Sequence, residues 1–169
     1  MSAADEMYHC GRSGWSKLDW LQTSQDSGTI GPGIYLTPDK EWLLDSQFCR
    51  RKGISLYTVQ VRWKKTVVHN KPVEDTLPKL MPLLNPLLDK VEARIGHRPN
   101  WNVGDALGAL VREYGGPSFV KMMKPIGVVG TRGFFSQAAE YAIFDVSALK
   151  IVGEDPNPRK VSAYSYDRR

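Results

Sequence analysis

Strand-like segments at both ends of the chain, with helix-like spacing of leucine and alanine between and after them, predict an α+β domain. The regular strand-helix alternation of a doubly wound sheet is missing. A length of 169 residues suits one domain, since domains usually hold about 100–200 residues and such a chain buries a proper core. The apolar fraction of 41% and charged fraction of 24% are ordinary for a globular protein. No apolar run comes near the ~20 residues of a membrane span, so no membrane role is expected. The acidic, polar start Met1-Ser2-Ala3-Ala4-Asp5-Glu6 lacks the positive charge and apolar stretch of a secretory signal. The expected setting is cytoplasmic, or a target cell reached by a route that needs no such signal.

The net charge of +5 favours an anionic partner: nucleic acid, an acidic protein or a phosphate-bearing cofactor. Much of the charge lies in short clusters, Arg50-Arg51-Lys52, Lys64-Lys65 and Arg168-Arg169, of the kind that solvated faces carry. Two cysteines, Cys10 and Cys49, are enough for one disulfide and too few for a zinc site. An intracellular setting argues for free thiols, so both are expected as small buried hydrophobes.

Taken in order, Glu6 to His9 reads as a first strand, and Trp15, Leu18 and Leu21 give residues 15–21 helical spacing. Ser24 to Pro32 is a loop whose Asp26-Ser27-Gly28 and Gly31-Pro32-Gly33 turns lead into a strand at Ile34-Tyr35-Leu36. Thr37-Pro38-Asp39-Lys40 is a helix start, with Thr37 to cap and Pro38 to open the first turn. That helix should run from about Asp39 to Arg51 and stop at Gly53. Alternation from Ile54 to Trp63 predicts a long strand, with Thr66-Val67-Val68 as its continuation. Leucines recur at helical spacing from Leu77 to Arg94, but Pro78, Pro82 and Pro86 permit only a broken helix. A better helix spans Val103 to Tyr114, capped by Asn102 and ended by Gly115-Gly116, and a short one spans Ser118 to Lys124. Ile126 to Val129 and Glu140 to Phe144 read as core strands joined by a loop from Gly130 to Ala139. The domain is expected to end near residue 152, with 153–169 an extended polar tail.

Three short segments carry chemistry-bearing residues in strand-like contexts: Tyr8-His9-Cys10-Gly11, Gly33-Ile34-Tyr35-Leu36-Thr37 and Glu140-Tyr141-Ala142-Ile143-Phe144-Asp145. In this order they resemble the His-Tyr-Glu signature of the ADP-ribosyltransferases, in the branch that holds diphtheria toxin and the poly(ADP-ribose) polymerases. The resemblance covers residues 8 to about 151. It implies a split β-sheet core of two small packed sheets, antiparallel or mixed, with a helical insertion at about residues 75–124. It also implies NAD as substrate, no metal, and convergence of His9, Tyr35 and Glu140 on one cleft between the sheets.

The residue types suit that chemistry. Cleaving nicotinamide from ribose passes through an oxocarbenium-like cation, which a carboxylate beneath the sugar stabilises; by resemblance Glu140 holds that place. Alone, such a Glu could equally lie on a solvated strand face, and a single His is more often a structural hydrogen-bonding residue. The resemblance gives His9 the task of orienting the ribose and Tyr35 that of stacking on nicotinamide. Phe48 is the candidate second aromatic wall, with Trp42 the alternative and core packing an equal reading. Relatives carry Gly after the His, where backbone pairs with the nicotinamide amide; here Cys10 stands there, followed by Gly11. Gly33 and Thr37 complete the second segment, Gly33 serving either close backbone approach or the turn, and Arg12 is the candidate cation for the diphosphate.

The segment Gly130 to Gln137 precedes the proposed catalytic Glu, where the family places its acceptor loop, so Arg132, Phe134, Phe135 and Gln137 are the candidate contacts to the target. Ala138 stands two residues before Glu140, where arginine-modifying relatives carry Glu or Gln, and this argues against an arginine target. The expected activity is therefore ADP-ribose transfer to a macromolecular acceptor, protein rather than nucleic acid, by a toxin, delivered effector or phage-type host modifier. An NAD glycohydrolase would use the same residues. An RNA 2′-phosphotransferase would carry more arginines in its motifs. A non-catalytic module that binds nucleic acid or an acidic protein is favoured by the charge, the five tryptophans and Phe134-Phe135, and disfavoured by the presence together of His9, Tyr35 and Glu140.

Overall fold

Two small sheets form the core of the computed structural model, which describes residues 5–19, 30–62, 65–135 and 138–158, without the side chain of Phe135. The first sheet has β1 (Glu6–Arg12) and β7 (Leu149–Asp155) on either side of β3 (Ile54–Val61), all antiparallel. The second runs β2 (Ile34–Leu36), β6 (Ala138–Ile143), β5 (Val128–Phe135), β4 (Lys65–Val68), with β4 and β5 parallel and the other pairs antiparallel. They meet at one seam: past Leu36 the chain leaves β6, and Thr37 exchanges backbone hydrogen bonds of 2.9 and 3.1 Å with Tyr8. The class is α+β. Among the described residues no helix is long and apolar enough to cross a membrane.

Among the described residues five α-helices accompany the sheets. α1 (Lys40–Asp45) follows β2, and α2 (Val73–Thr76), α3 (Met81–Ile95), α4 (Val103–Tyr114) and α5 (Gly116–Met123) fill the chain between β4 and β5. α4 has the bounds its sequence implies. Asn102 accepts from the Asp105 N–H at 2.8 Å, and Gly115, at φ 78°, ends the helix. Its inward Leu107 and Leu110 pack with Leu80 and Leu84 in one buried cluster that also takes in Tyr57 and Val59. There Phe119 of α5 meets Phe144 edge-on, with ring centroids 5.0 Å apart. Each such fully buried side chain contributes about 1.5–3 kcal/mol.

Several expected elements differ. Residues 15–19 are not helical, and the rest of that expected helix lies outside the described residues. The helix after β2 starts at Lys40, one residue later than expected, with Asp39 rather than Thr37 accepting from the Trp42 N–H, and Ser46, extended at ψ 158°, ends it before a short 3₁₀ turn at Gln47–Cys49. Instead of continuing β3, β4 crosses to the other sheet. α3 is unbroken: Pro82 lies in its first turn, where no donor is needed, and Pro86 removes only the bond to the carbonyl four residues back. Pro78, Pro82 and Pro86 recur every fourth residue on the exposed side, leaving Leu80, Leu84 and Leu88 to face inward. The expected loop 130–139 is largely paired strand. β7 runs through Asp155 and takes the first part of the expected tail into the first sheet.

Cys10 and Cys49 are joined as a disulfide, with Cα atoms 5.5 Å apart, which corrects the expectation of free thiols. Alternation along β1 turns Tyr8 and Cys10 away from the main core and toward a small cluster of Leu43, Cys49 and Leu56 beneath α1. A bridge between residues 39 apart restricts the unfolded chain, and in chain-entropy terms this contributes about 2–4 kcal/mol. Reduction with a mild thiol, or Cys49→Ser, should therefore lower the unfolding free energy measured in urea by that amount; an unchanged value in the reduced protein would show that the link adds no stability.

Candidate functional site

Next to the Tyr8–Thr37 seam, His9 points to the opposite face of β1 from Tyr8 and Cys10, opposite Tyr57 of β3. Its Nδ1–H donates to the Tyr35 carbonyl at 2.8 Å, which binds β1 to β2 a second time and leaves Nε2 as the acceptor nitrogen of the ring. Nε2 is closed off from solvent and has no hydrogen-bond partner among the described residues. Burial pushes the imidazole below its ordinary pKa, with the backbone bond to Tyr35 acting against it, so the ring is neutral at neutral pH. A Cβ on Gly11 would stand 2.8 Å from Nε2 and 2.8 Å from the Trp15 ring, so glycine is what lets the imidazole lie there.

Aromatic rings wall in this histidine. The Trp15 ring stacks on it with centroids 6.2 Å apart, and the Tyr57 ring is tilted against it at 6.5 Å. The Trp15 backbone N–H donates to the Tyr57 oxygen at 3.1 Å, and the Tyr57 hydroxyl donates to the Arg12 carbonyl. Glu154 of β7 fastens the loop above them, accepting from the Gly14 N–H at 2.9 Å and the Ser55 hydroxyl at 2.7 Å. These bonds hold its carboxyl below the ordinary carboxylate range, the Gly14 amide most of all.

Tyr35 lies half-buried on β2. Its hydroxyl donates to the Gly31 carbonyl at 2.7 Å and accepts from the Ile30 N–H at 3.3 Å. Burial pushes its pKa up to about 12, with the Glu140 charge adding to the rise. Tyr35 pairs with Ala142 on β6, and since side chains alternate along a strand, Glu140 shares the sheet face of Tyr35. Glu140 is 8% exposed and accepts no hydrogen bond from a described residue. Burial raises its pKa to about 7.

Tyr35 thus adjoins both His9 and Glu140, and Thr37 follows it at the place where the two sheets part. Cys10 lies beside them through its backbone, its sulfur turned toward Cys49 on the other face. Gly33 has φ 135°, and a Cβ there would stand 2.6 Å from the Ile143 backbone, so the packing of β2 on β6 already requires glycine. Arg12 is exposed at the end of β1. Phe48 is 45% exposed in the 3₁₀ turn, and Trp42 packs on the small cluster beneath α1. Arg132 and the 75% exposed Phe134 lie on the outer face of β5. Phe135 belongs to β5 through its backbone, and Gln137 lies outside the described residues. The described residues hold no group of His, Cys, Asp and Glu that could bind a metal ion.

Sequence reasoning missed His69. Its backbone N–H donates to the Arg132 carbonyl at 3.1 Å, and its own carbonyl accepts from the Gly104 N–H at 2.9 Å. The only local cue was an imidazole ending the Thr66-Val67-Val68 run. Only the parallel register of β4 on β5 brings it beside Gly133.

Comparison with protein-family models, with characterised proteins and with solved structures finds no match.

The raised pKa of Glu140 has a stability consequence. The unfolded chain ionises this group near 4.5 and the folded chain near 7, so folded stability falls as pH rises through that window and the penalty persists above it. Glu140→Gln removes the penalty. At pH 8 it should raise Tm by about 2–4 °C, the shift that about 1 kcal/mol produces in a chain of this size, with the gain vanishing below pH 4.5. Equal melting curves at both pH values would mean that the carboxylate is not desolvated.

Proposed function

We propose that the chain is an NAD-dependent ADP-ribosyltransferase of the His-Tyr-Glu type, with the split-sheet fold of that family, acting on a macromolecular acceptor, protein rather than nucleic acid. The observation that carries this function is Glu140: a buried carboxylate with no hydrogen-bond partner among the described residues, on the face it shares with Tyr35 beside the seam that His9 binds. A purely structural strand glutamate has no reason to be desolvated and unpartnered. The residues also suit NAD as substrate, because Nε2 of His9, without a partner among the described residues, is an acceptor in want of a hydroxyl donor.

In this mechanism the ionised Glu140 stabilises positive charge developing on the ribose and accepts from its hydroxyls. His9 accepts from a ribose hydroxyl through Nε2, once the indole of Trp15 turns aside from the imidazole that it covers. Tyr35, its hydroxyl held by Gly31 and Ile30, offers its ring to the nicotinamide and keeps the leaving group in line. The Cys10 backbone pairs with the nicotinamide amide, which its disulfide leaves free because the sulfur lies on the other face of β1. Arg132 and Phe134 on β5 meet the acceptor.

Incubated with NAD and a cell extract, the purified chain should release nicotinamide and label a protein. Glu140→Gln should lower the rate by about 100-fold or more, and kcat/KM should rise with pH along an acid limb near the Glu140 pKa of about 7. A chain that neither binds nor consumes NAD would end this assignment. Nicotinamide release without label in any macromolecule would make it a glycohydrolase.

A further inference from the structure

The segment that covers His9 is short and anchored at both ends. Arg12 ends β1, paired with Ile54, and Leu18 is buried in the main core. Between them Ser13, Gly14, Ser16 and Lys17 are exposed, and Trp15 alone is half-buried, its ring stacked on the imidazole. The vacant Cβ position of Gly11 shows how close this cover is, since the Trp15 ring and His9 Nε2 each stand 2.8 Å from it. Tyr57, the other wall, belongs to the central strand of its sheet and is fully buried. Of the two walls, Trp15 is therefore the one that can yield to a ligand of Nε2.

Three backbone bonds hold the cover shut. The Ser13 N–H donates to the Gly53 carbonyl at 3.0 Å, the Trp15 N–H to the Tyr57 oxygen at 3.1 Å and the Gly14 N–H to the Glu154 carboxylate at 2.9 Å. Only the last of these has an ionised partner, and such bonds are about twice as strong as neutral ones. The buried Ser55 donates its hydroxyl to the same carboxylate oxygen, which fixes the acceptor in front of the Gly14 amide. Glu154 itself is exposed on the edge strand β7, so a change there leaves the core intact.

We infer that Ser13 to Lys17 form a lid over Nε2 of His9 and that Glu154 is the positioning residue that keeps it closed. With the Gly14 amide on Glu154, the indole shuts off Nε2. When that bond breaks, the strap swings out between its anchors at Arg12 and Leu18, and Nε2 can accept from a ribose hydroxyl. A buried acceptor without a partner among the described residues is the cost of the closed state, and the ligand relieves it. The empty site is thus mostly shut, and its apparent affinity is reduced by the fraction of molecules that are open. NAD as the ligand rests on the transferase proposed above; the lid does not.

Two readouts test this. Diethyl pyrocarbonate, which acylates neutral imidazole, followed by peptide mass spectrometry reports access to His9, with the exposed His97 as internal reference. Relative to His97, His9 should be acylated at least about fivefold faster in Glu154→Ala than in wild type, and the Kd for NAD measured by calorimetry should fall by a similar factor. Trp15→Ala should also bind NAD more tightly, and on that background Glu154→Ala should change Kd by less than about twofold, because the two act through one lid. Unchanged acylation of His9 in Glu154→Ala, or a Kd that rises, overturns the lid; the transferase assignment then stands if wild type consumes NAD. If wild type does not bind NAD, that assignment fails and acylation alone decides on the lid. Should Glu154→Ala not fold, Glu154→Gln, which leaves a weaker acceptor in place, should move acylation in the same direction by a smaller factor, and no movement overturns the inference.

Discussion

The divided loyalty of one short strand organises this molecule. β2 gives Ile34, Tyr35 and Leu36 to β6, and the very next residue gives its backbone to Tyr8 of β1. Because buried amides and carbonyls must be paired, a strand that changes partners in this way obliges the two sheets to diverge, and a gap opens at the point of divergence. The Tyr35 carbonyl, lying before the change, is met by the imidazole of His9. Gly33 makes the arrangement possible, since any side chain there would strike the backbone of Ile143. Glu140 stands at this gap through ordinary strand alternation, with no loop needed to deliver it.

Burial acts on the two titratable groups of the site in opposite directions and with the same effect. It favours the uncharged form of each, raising the carboxyl and lowering the imidazole. An empty site therefore carries little charge near neutrality and avoids the cost of desolvating ions. A cationic group entering beside Glu140 would favour the ionised carboxylate, so charge would appear where and when the ligand supplies its counterpart.

Much of this was legible in the sequence, because strong local chemistry fixed it. α4 could be read from its cap to its terminal glycine, since Asn102 and Gly115 act on their own neighbours. β5 could not. Gly130 and Gly133 have the look of a turn, yet they are needed because the Ala142 carbonyl and the His69 ring occupy the space of their missing side chains. The prolines of α3 pointed to breaks, but their common spacing places them all on the exposed side. β7 resembles a polar tail because an edge strand has less need of apolar alternation. His69 was the least visible, as its partners are set by a parallel pairing across all the helices between β4 and β5.

Glu154, in a segment that composition would assign to a tail, reaches back across 140 positions to the amide of Gly14. It thereby holds the Trp15 and Tyr57 rings that enclose His9. The rings of Trp15 and Tyr57 are synthesised long before Glu154, the group that fastens them. Contacts between such distant parts of a chain form slowly, after the local ones, so the enclosure of the histidine is assembled early and locked only when β7 docks.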